Sequence, residues 1–245
     1  MARERISFLK VPVDILPEED LYPTIMDFSQ KKEFSQICFI SIWDVLKARR
    51  NKAYMECLQN AALVLPISPS IIRGCRFLKL AEPKRYNQFK TVINIMNVLD
   101  KNFRSIYLLG GKKDVLSSVE RNVRSTFPGL QLVGRFKGFY PKAIEPSIIQ
   151  AIHKASPTLL LTSEGVKEGD LWAYKRKESF QGGIFMYYRD CFGIFSKRKG
   201  RIPDKTFEKG TEMAYEISRN PFKIFLFFPY LWYLTVLLVY KIFKK

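Results

Sequence analysis

The 245-residue sequence predicts an α/β fold, an open parallel sheet with flanking helices, ending in a C-terminal membrane-associating helical appendage. Three observations carry this reading. From Ser105 to Tyr140 the chain runs through an apolar stretch, a glycine pair, an amphipathic stretch and a second apolar stretch. A strand-helix-strand unit of that kind lays its two strands parallel. Further apolar runs of strand length recur between helix-length segments, at Ile37 to Ile42, Asn60 to Pro66, Pro157 to Leu161 and Gly182 to Tyr188. Near the end, Ile224 to Tyr240 holds no charged residue.

Arg5 to Val13 reads as a strand or hairpin. Leu16-Pro17-Glu18-Glu19-Asp20 opens a helix to about Gln30, with acidic residues suited to the positive end of the helix dipole. Ile37 to Ile42 is continuously apolar, the pattern of a strand buried on both faces. Asp44 then caps a helix carrying Val45, Leu46, Ala48, Tyr54, Met55 and Leu58. Asn60 to Pro66 is a short strand stopped by proline, which places Ile67-Ser68-Pro69-Ser70 at a strand's carboxyl end, where ligands of open α/β sheets sit. Pro83 to Asp100 forms a helix with Val92, Ile95, Met96 and Leu99 inward.

In the central unit Ile106 to Leu109 is a strand, Val115, Leu116, Val119 and Val123 recur at helical spacing, and Phe127-Pro128-Gly129 closes the helix before the strand Leu130 to Val133. Gly110 and Gly111 stand between strand and helix. A glycine pair there makes either a tight turn or a helix start whose free N–H groups meet a phosphate. Neither GxGxxG nor GxxxxGK[ST] is present. Ile144 to Ala155 is helical, and the strand Pro157 to Leu161 ends in the polar loop Thr162 to Glu168.

The net charge of +18 implies an anionic partner: nucleic acid, an anionic membrane surface or a phosphorylated substrate. Residues Met1 to Lys10 are charged and lack the apolar core of a signal peptide, so the folded part is expected in the cytoplasm. Cys38, Cys57, Cys75 and Cys191 form no CxxC pair and His153 is the single histidine, which argues for free thiols and against a zinc site. His153 itself reads as structural. The basic run Lys197 to Arg201 is either a solvated loop or a contact for lipid or diphosphate.

Seventeen uncharged residues, flanked by Lys223 and by Lys241, Lys244 and Lys245, reach the lower limit of a membrane-spanning helix, about 17 to 25 residues. Tyr230, Trp232, Tyr233 and Tyr240 favour the lipid-water interface. A full span would carry the terminal lysines out of the cytoplasm, against the positive-inside tendency, so a re-entrant or surface-lying helix kinked at Pro229 stays open. The chain accordingly divides into a core, 1–205, and an appendage, 206–245, with its apolar segment at 224–240.

Leu108-Leu109-Gly110-Gly111, Phe127-Pro128-Gly129-Leu130, Val133-Gly134 and Gly138-Phe139 follow the order and spacing LLGG…YPGL.IVG…GYF. Asn60 to Pro66 matches an NADLVLPDG segment up to its proline, and Gly210, Glu212, Tyr215 and Pro221 fall on a GLEWLYR…EP pattern. In these motifs the chain resembles the WecG/TagA/CpsF family of glycosyltransferases. The resemblance implies a Rossmann-like core, a homo-oligomer, no cofactor, no metal-binding DxD motif, and an appendage at the cytoplasmic membrane face with anionic membrane lipid as neighbour. It further implies transfer of an N-acetylmannosamine-type sugar from a UDP-sugar to a polyprenyl-diphosphate-linked acceptor during surface polysaccharide biosynthesis.

Departures from the family pattern fall on polar positions. The aspartate after the proline of LPDG, the family's proposed general base, is Ile67; a threonine and an asparagine become approximately Phe39 and Ser41; the FDF aspartate becomes Gly193. Of the loop resembling GLGSPKQE, only Lys167 clearly remains. Isoleucine cannot take a proton, and a general base supplies about 10²–10⁴-fold in rate. Three functional readings follow. An active transferase would draw its base from Glu164, Glu168 or Asp170, bind donor at Gly110, Gly111, Phe139 and Lys167, and meet the acceptor diphosphate or lipid with Arg201. A pseudo-transferase would keep the fold as a membrane-attached binding or scaffolding protein. A nucleic-acid-binding protein would suit the charge, but no such motif appears and the apolar tail is left unexplained, so no nucleic acid is expected among the partners.

Overall fold

The computed structural model describes residues 4–243 of the chain. Strands β1 (Glu4–Phe8) and β2 (Val11–Ile15) pair as an antiparallel hairpin. Helix α1 (Leu21–Gln30) leads into β3 (Phe34–Ile40), followed by α2 (Ile42–Ala48), α3 (Lys52–Asn60), β4 (Leu63–Pro66), α4 (Pro69–Phe77) and α5 (Gln88–Lys101). The central unit is β5 (Ser105–Leu109), α6 (Lys113–Thr126) and β6 (Gln131–Phe136); α7 (Glu145–Ala155), β7 (Leu159–Thr162), α8 (Asp170–Tyr174), β8 (Gly183–Tyr187) and α9 (Cys191–Phe195) complete the core. The C-terminal part holds α10 (Asp204–Lys209), which begins two residues before position 206, α11 (Glu212–Arg219), a 3-10 turn (Pro221–Leu226) and α12 (Phe227–Phe243).

Six strands form one parallel sheet in the order β4-β3-β8-β7-β5-β6, a Rossmann-like arrangement with helices on both faces. The strands read as unbroken apolar runs because alternate residues enter different cores. Ile37, Leu63, Leu65, Ile106, Leu108, Leu159 and Ile184 face α1, α5 and α6. Cys38, Ile40 and Val64 face the hairpin, α2, α3 and α4, while Leu109, Leu160 and Phe185 pack against Ile148, Ile152 and Trp172. Each such side chain removed from water stabilises the fold by about 1.5–3 kcal/mol. The hairpin is fixed to the sheet by Asp14, which receives the Arg5 guanidinium at 2.7 Å and the Val64 N–H at 2.6 Å. All four cysteines are buried free thiols.

Local boundaries differ from the sequence reading in four places. Ser41, not Asp44, is the N-cap of α2, and Asp44 is the third helical residue, closing a capping box in which the Ser41 N–H donates to its carboxylate at 2.8 Å. The single helix expected through Leu58 is two, because Asn51 restarts the chain as N-cap of α3 and accepts from the Tyr54 N–H. The acidic run Glu18 to Asp20 precedes α1 rather than forming its first turn. Asn87 caps α5, so the segment 83–87 is extended and the helix starts at Gln88. Helix α4 has no counterpart in the sequence reading: Pro69 at its first turn is compatible with helix, since the missing N–H has no partner there.

In the appendage, Pro229 lies in the first turn of α12, where the 3-10 turn passes into α-helix. One face of α12 docks on the core. Tyr233 is fully buried and donates to the Ser70 carbonyl at 2.7 Å, Leu237 is buried, and Lys241 lies over the Phe77 ring. Gly74 of α4 makes this approach possible, since a Cβ there would come within 2.6 Å of both the Phe8 ring and the Tyr233 hydroxyl. The opposite face exposes Leu231, Trp232, Leu238, Val239, Ile242 and Phe243. Lys244 and Lys245 lie outside the described residues.

Candidate active site

The carboxyl ends of all six strands open on one edge of the sheet. Ser41 follows β3, Ile67 and Ser68 follow β4, and Tyr188 follows β8; these residues form the floor of a cavity of about 470 Å³. One wall is α4, with Pro69, Ser70 and Arg73, and another is the stretch Tyr86 to Lys90. Arg201 and Asp204, and Phe207, Glu212, Leu226 and Tyr230 of the appendage, close the cavity, with Ile42, Trp43 and Ile194 of the core also lining it. This volume, mixed lining and location at the strand ends are those of a small-molecule site.

Ion pairs hold the appendage against the core. Arg85 meets Glu212 at 3.1 Å, with both side chains largely buried, donates to the Phe207 carbonyl and stacks 3.6 Å over the Phe207 ring. Lys90 meets Asp204 at 3.2 Å, and within the appendage Glu216 meets Lys223 at 2.9 Å. Gly210, left-handed at φ +66, turns between α10 and α11 against Pro69 and Arg85. Among the described residues no carboxylate lies within ion-pair reach of Arg73, so this cavity-lining guanidinium is available to an anion.

The residues singled out in the sequence divide between this cavity and its surroundings. Ile67 lines the cavity, its N–H donating to the Ile40 carbonyl at 2.9 Å, and Arg201 lines it 3.7 Å from Asp204. Gly110 and Gly111 do not. Their N–H groups donate to the carbonyls of Phe136 and Glu164, at 2.9 and 2.6 Å, and so are not free to cradle a phosphate. Glycine is needed at 110 for a different reason, since a Cβ would sit 2.9 Å from the Ser163 backbone. Phe139 is left-handed, donates its N–H to the Gly165 carbonyl and lies across Gly165 with its ring exposed.

Lys167 and Glu164 are exposed on the loop after β7. Glu168 is bound to Lys175 and lies 3.5 Å from Arg176; the Lys175 ammonium holds its carboxyl below the usual carboxylate range. Asp170 turns inward. Its Oδ1 is out of contact with solvent and without a hydrogen-bond partner, and Oδ2 lies 3.5 Å from the Tyr54 hydroxyl. Burial first, and the nearby Asp44 carboxylate second, push the Asp170 carboxyl up to about 7. His153 bridges the Ser179 carbonyl and Gln181, a structural role. Among the described residues no group of three His, Cys, Asp or Glu side chains is placed to hold a metal ion.

Sequence reasoning did not single out Arg73, and it named Asp44 only as a helix cap and Ser41 only as a departure from the family pattern. Arg73 sits on α4, the helix absent from the sequence reading. The pair carried a signal, a serine followed three residues later by an acid ahead of an apolar run, which marks a capping box.

A family model for the "Glycosyl transferase WecG/TagA/CpsF family" matches residues 6–245, including the sheet, the cavity and the appendage. The chain belongs to this family. Two relatives carry the name N-acetylglucosaminyldiphosphoundecaprenol N-acetyl-beta-D-mannosaminyltransferase. The one from Bacillus subtilis (strain 168) is 20% identical over 176 residues, 72% of this chain and 68% of its own length. The one from Bacillus spizizenii (strain ATCC 23059 / NRRL B-14472 / W23) is 19% identical over 175 residues, 71% and 67% of the two chains. The WecG/TagA/CpsF signature residues Leu108 to Gly111 and Phe127 to Leu130 thus bracket β5-α6 and the turn before β6, and they serve the packing of this unit.

Proposed function

We propose that the chain is a hexosyltransferase that moves an N-acetylmannosamine-type sugar from a UDP-sugar to a polyprenyl-diphosphate-linked acceptor, for surface polysaccharide biosynthesis. One observation carries the reading: the cavity at the strand ends is completed by the segment whose outer face is apolar and exposed. Tyr230 and Leu226 line the cavity, while Leu238 and Ile242 on α12 are exposed to solvent and Trp232 is half exposed with Arg50 over its ring. An amphiphilic acceptor fits that arrangement, its lipid remaining in the membrane and its sugar diphosphate entering the cavity toward Arg73 and Arg201. A guanidinium can grip two phosphate oxygens at once.

In this reading α12 lies in the interface of the membrane's cytoplasmic leaflet and does not span it, because Tyr233 and Leu237 are occupied by the core along two of its turns. The net charge of +18 favours anionic lipid, and family membership favours a homo-oligomer. Ile67 inside the cavity favours a second reading, a pseudo-transferase that binds without turnover. Calorimetric titration of UDP and UDP-N-acetylmannosamine into the full chain in nanodiscs, followed by a turnover assay with undecaprenyl-diphosphate-linked N-acetylglucosamine, separates the two. Binding with turnover supports the transferase, binding without turnover the scaffold, and no binding by the folded chain sinks both uses of the cavity. Arg73→Ala is expected to raise KM for the lipid-linked acceptor about tenfold, the loss of one charge-assisted contact to its diphosphate.

A further inference from the structure

The cavity contains an alternative to the missing aspartate. We propose that Ser41 and Asp44 together form the proton acceptor of this transferase, Ser41 touching the acceptor hydroxyl and Asp44 acting through it; the proposal rests on the transferase reading above. Strands β3 and β4 are paired in register, Ile40 beside Pro66, and the Ile67 N–H donates to the Ile40 carbonyl. Ser41 therefore stands directly beside position 67, and both residues line the cavity. The Ser41 hydroxyl donates to Asp44 Oδ2 at 2.6 Å, a short contact to a charged acceptor.

The carboxylates on the cavity wall suit the role less well. Asp204, Glu212 and Glu216 are each held by a cation, Lys90, Arg85 and Lys223 respectively. Among the described residues Asp44 has no Lys or Arg within ion-pair reach. Around it, the Tyr54 hydroxyl of α3 donates to Asp44 Oδ1 at 3.3 Å, and Asp170 of α8 lies on the far side of that hydroxyl, its Oδ1 buried without a partner. Cys57 of α3 and Cys38 of β3 lie behind Tyr54, and the Lys47 ammonium sits 4.0 Å over the Tyr54 ring.

In the transfer step the acceptor hydroxyl gives its proton to Ser41 Oγ while the Ser41 proton passes to Asp44 Oδ2. The acceptor oxygen forms its bond to the anomeric carbon, and the bond from that carbon to the nucleoside diphosphate breaks, its electron pair leaving with the diphosphate. Asp44 later releases its proton to solvent.

The test uses the full chain in nanodiscs, with UDP-N-acetylmannosamine and undecaprenyl-diphosphate-linked N-acetylglucosamine as probes. Ser41→Ala and Asp44→Asn are each expected to lower kcat by about 10²–10⁴-fold, with KM for both probes and the Kd for UDP within about twofold of the unaltered chain. Ser41→Thr, which keeps a hydroxyl and a helix cap, is expected to retain most activity. Because two residues of one relay act as a unit, Ser41→Ala/Asp44→Asn is expected to be no worse than the poorer single variant. In Asp44→Asn the side-chain amide still offers an oxygen to the Ser41 N–H, so the cap survives and folding is checked by unchanged thermal unfolding. Turnover that persists in Ser41→Ala, or losses that multiply in the double variant, overturns the relay and leaves the transferase reading intact. Absence of turnover by the unaltered chain removes both.

Discussion

Asp170→Asn is expected to make the protein more stable at alkaline pH and to flatten its stability profile. The Asp170 carboxyl is raised from 3.8 to about 7 by burial and by Asp44, so the folded chain holds its proton more tightly than the unfolded chain does. Stability is then greatest below about pH 4, falls as pH rises from about 4 to about 7, and is level above that. A rise of about three pKa units corresponds to roughly 4 kcal/mol of penalty for the charged form at pH 8. The amide removes that penalty but leaves its own NH₂ where Oδ1 has no partner, which costs about 1–3 kcal/mol. The net gain at pH 8 is therefore about 1–3 kcal/mol, or roughly 2–12 °C in Tm for a chain of this length, shrinking to nothing or reversing at pH 4. Thermal unfolding followed by circular dichroism in detergent at pH 4, 6 and 8 measures it. Parallel curves for the two proteins would refute the account of a charge buried without compensation.

Three further outcomes follow from the geometry. Gly74→Val would force Phe8 and Tyr233 apart, at about 1–3 kcal/mol; lowered Tm together with faster proteolysis within α12 would be the signature. Arg85→Ala leaves Glu212 unpaired in a largely buried position, costing up to about 3 kcal/mol; limited proteolysis is expected to cut between residues 200 and 220 with the sheet intact. Replacing Leu238 and Ile242 with serine removes two exposed apolar side chains, each worth up to about 2 kcal/mol on transfer from water, so co-sedimentation with vesicles should fall by at least tenfold while Tm stays within about 2 °C.

The parallel sheet was legible because its strands are apolar on both faces, and β5-α6-β6 because Val115, Leu116, Val119 and Val123 keep helical period between two such runs. Ligand geometry was less so. The glycine pair has the pattern of a phosphate cradle, yet its amides are satisfied by Phe136 and Glu164, partners brought in by β6 and the loop after β7. No local pattern announces such contacts. Glu164, Glu168 and Asp170 share one polar loop, but Glu168 meets cations, Glu164 faces solvent and Asp170 enters the interior; the distinction comes from α3 and α8 packing together. Arg201 alone among the singled-out cations reaches the cavity, and it does so because α10 and α11 fold back on α4.

Gly74 also has a meaning in time. The cluster in which it sits joins Phe8, α4 and Tyr233, and the Tyr233 hydroxyl closes on Ser70 across 163 positions of sequence. At about 5–20 residues per second of synthesis, the hairpin and α4 wait roughly ten to thirty seconds with that apolar patch uncovered before α12 leaves the ribosome. The sheet itself is completed only when β8 has been made, and the segment that finally covers the patch is the long apolar helix at the end of the chain. In the membrane-attached state proposed above, the same helix would serve both bilayer and core, and its two faces, one cut to fit Gly74 and one left bare, would allow both.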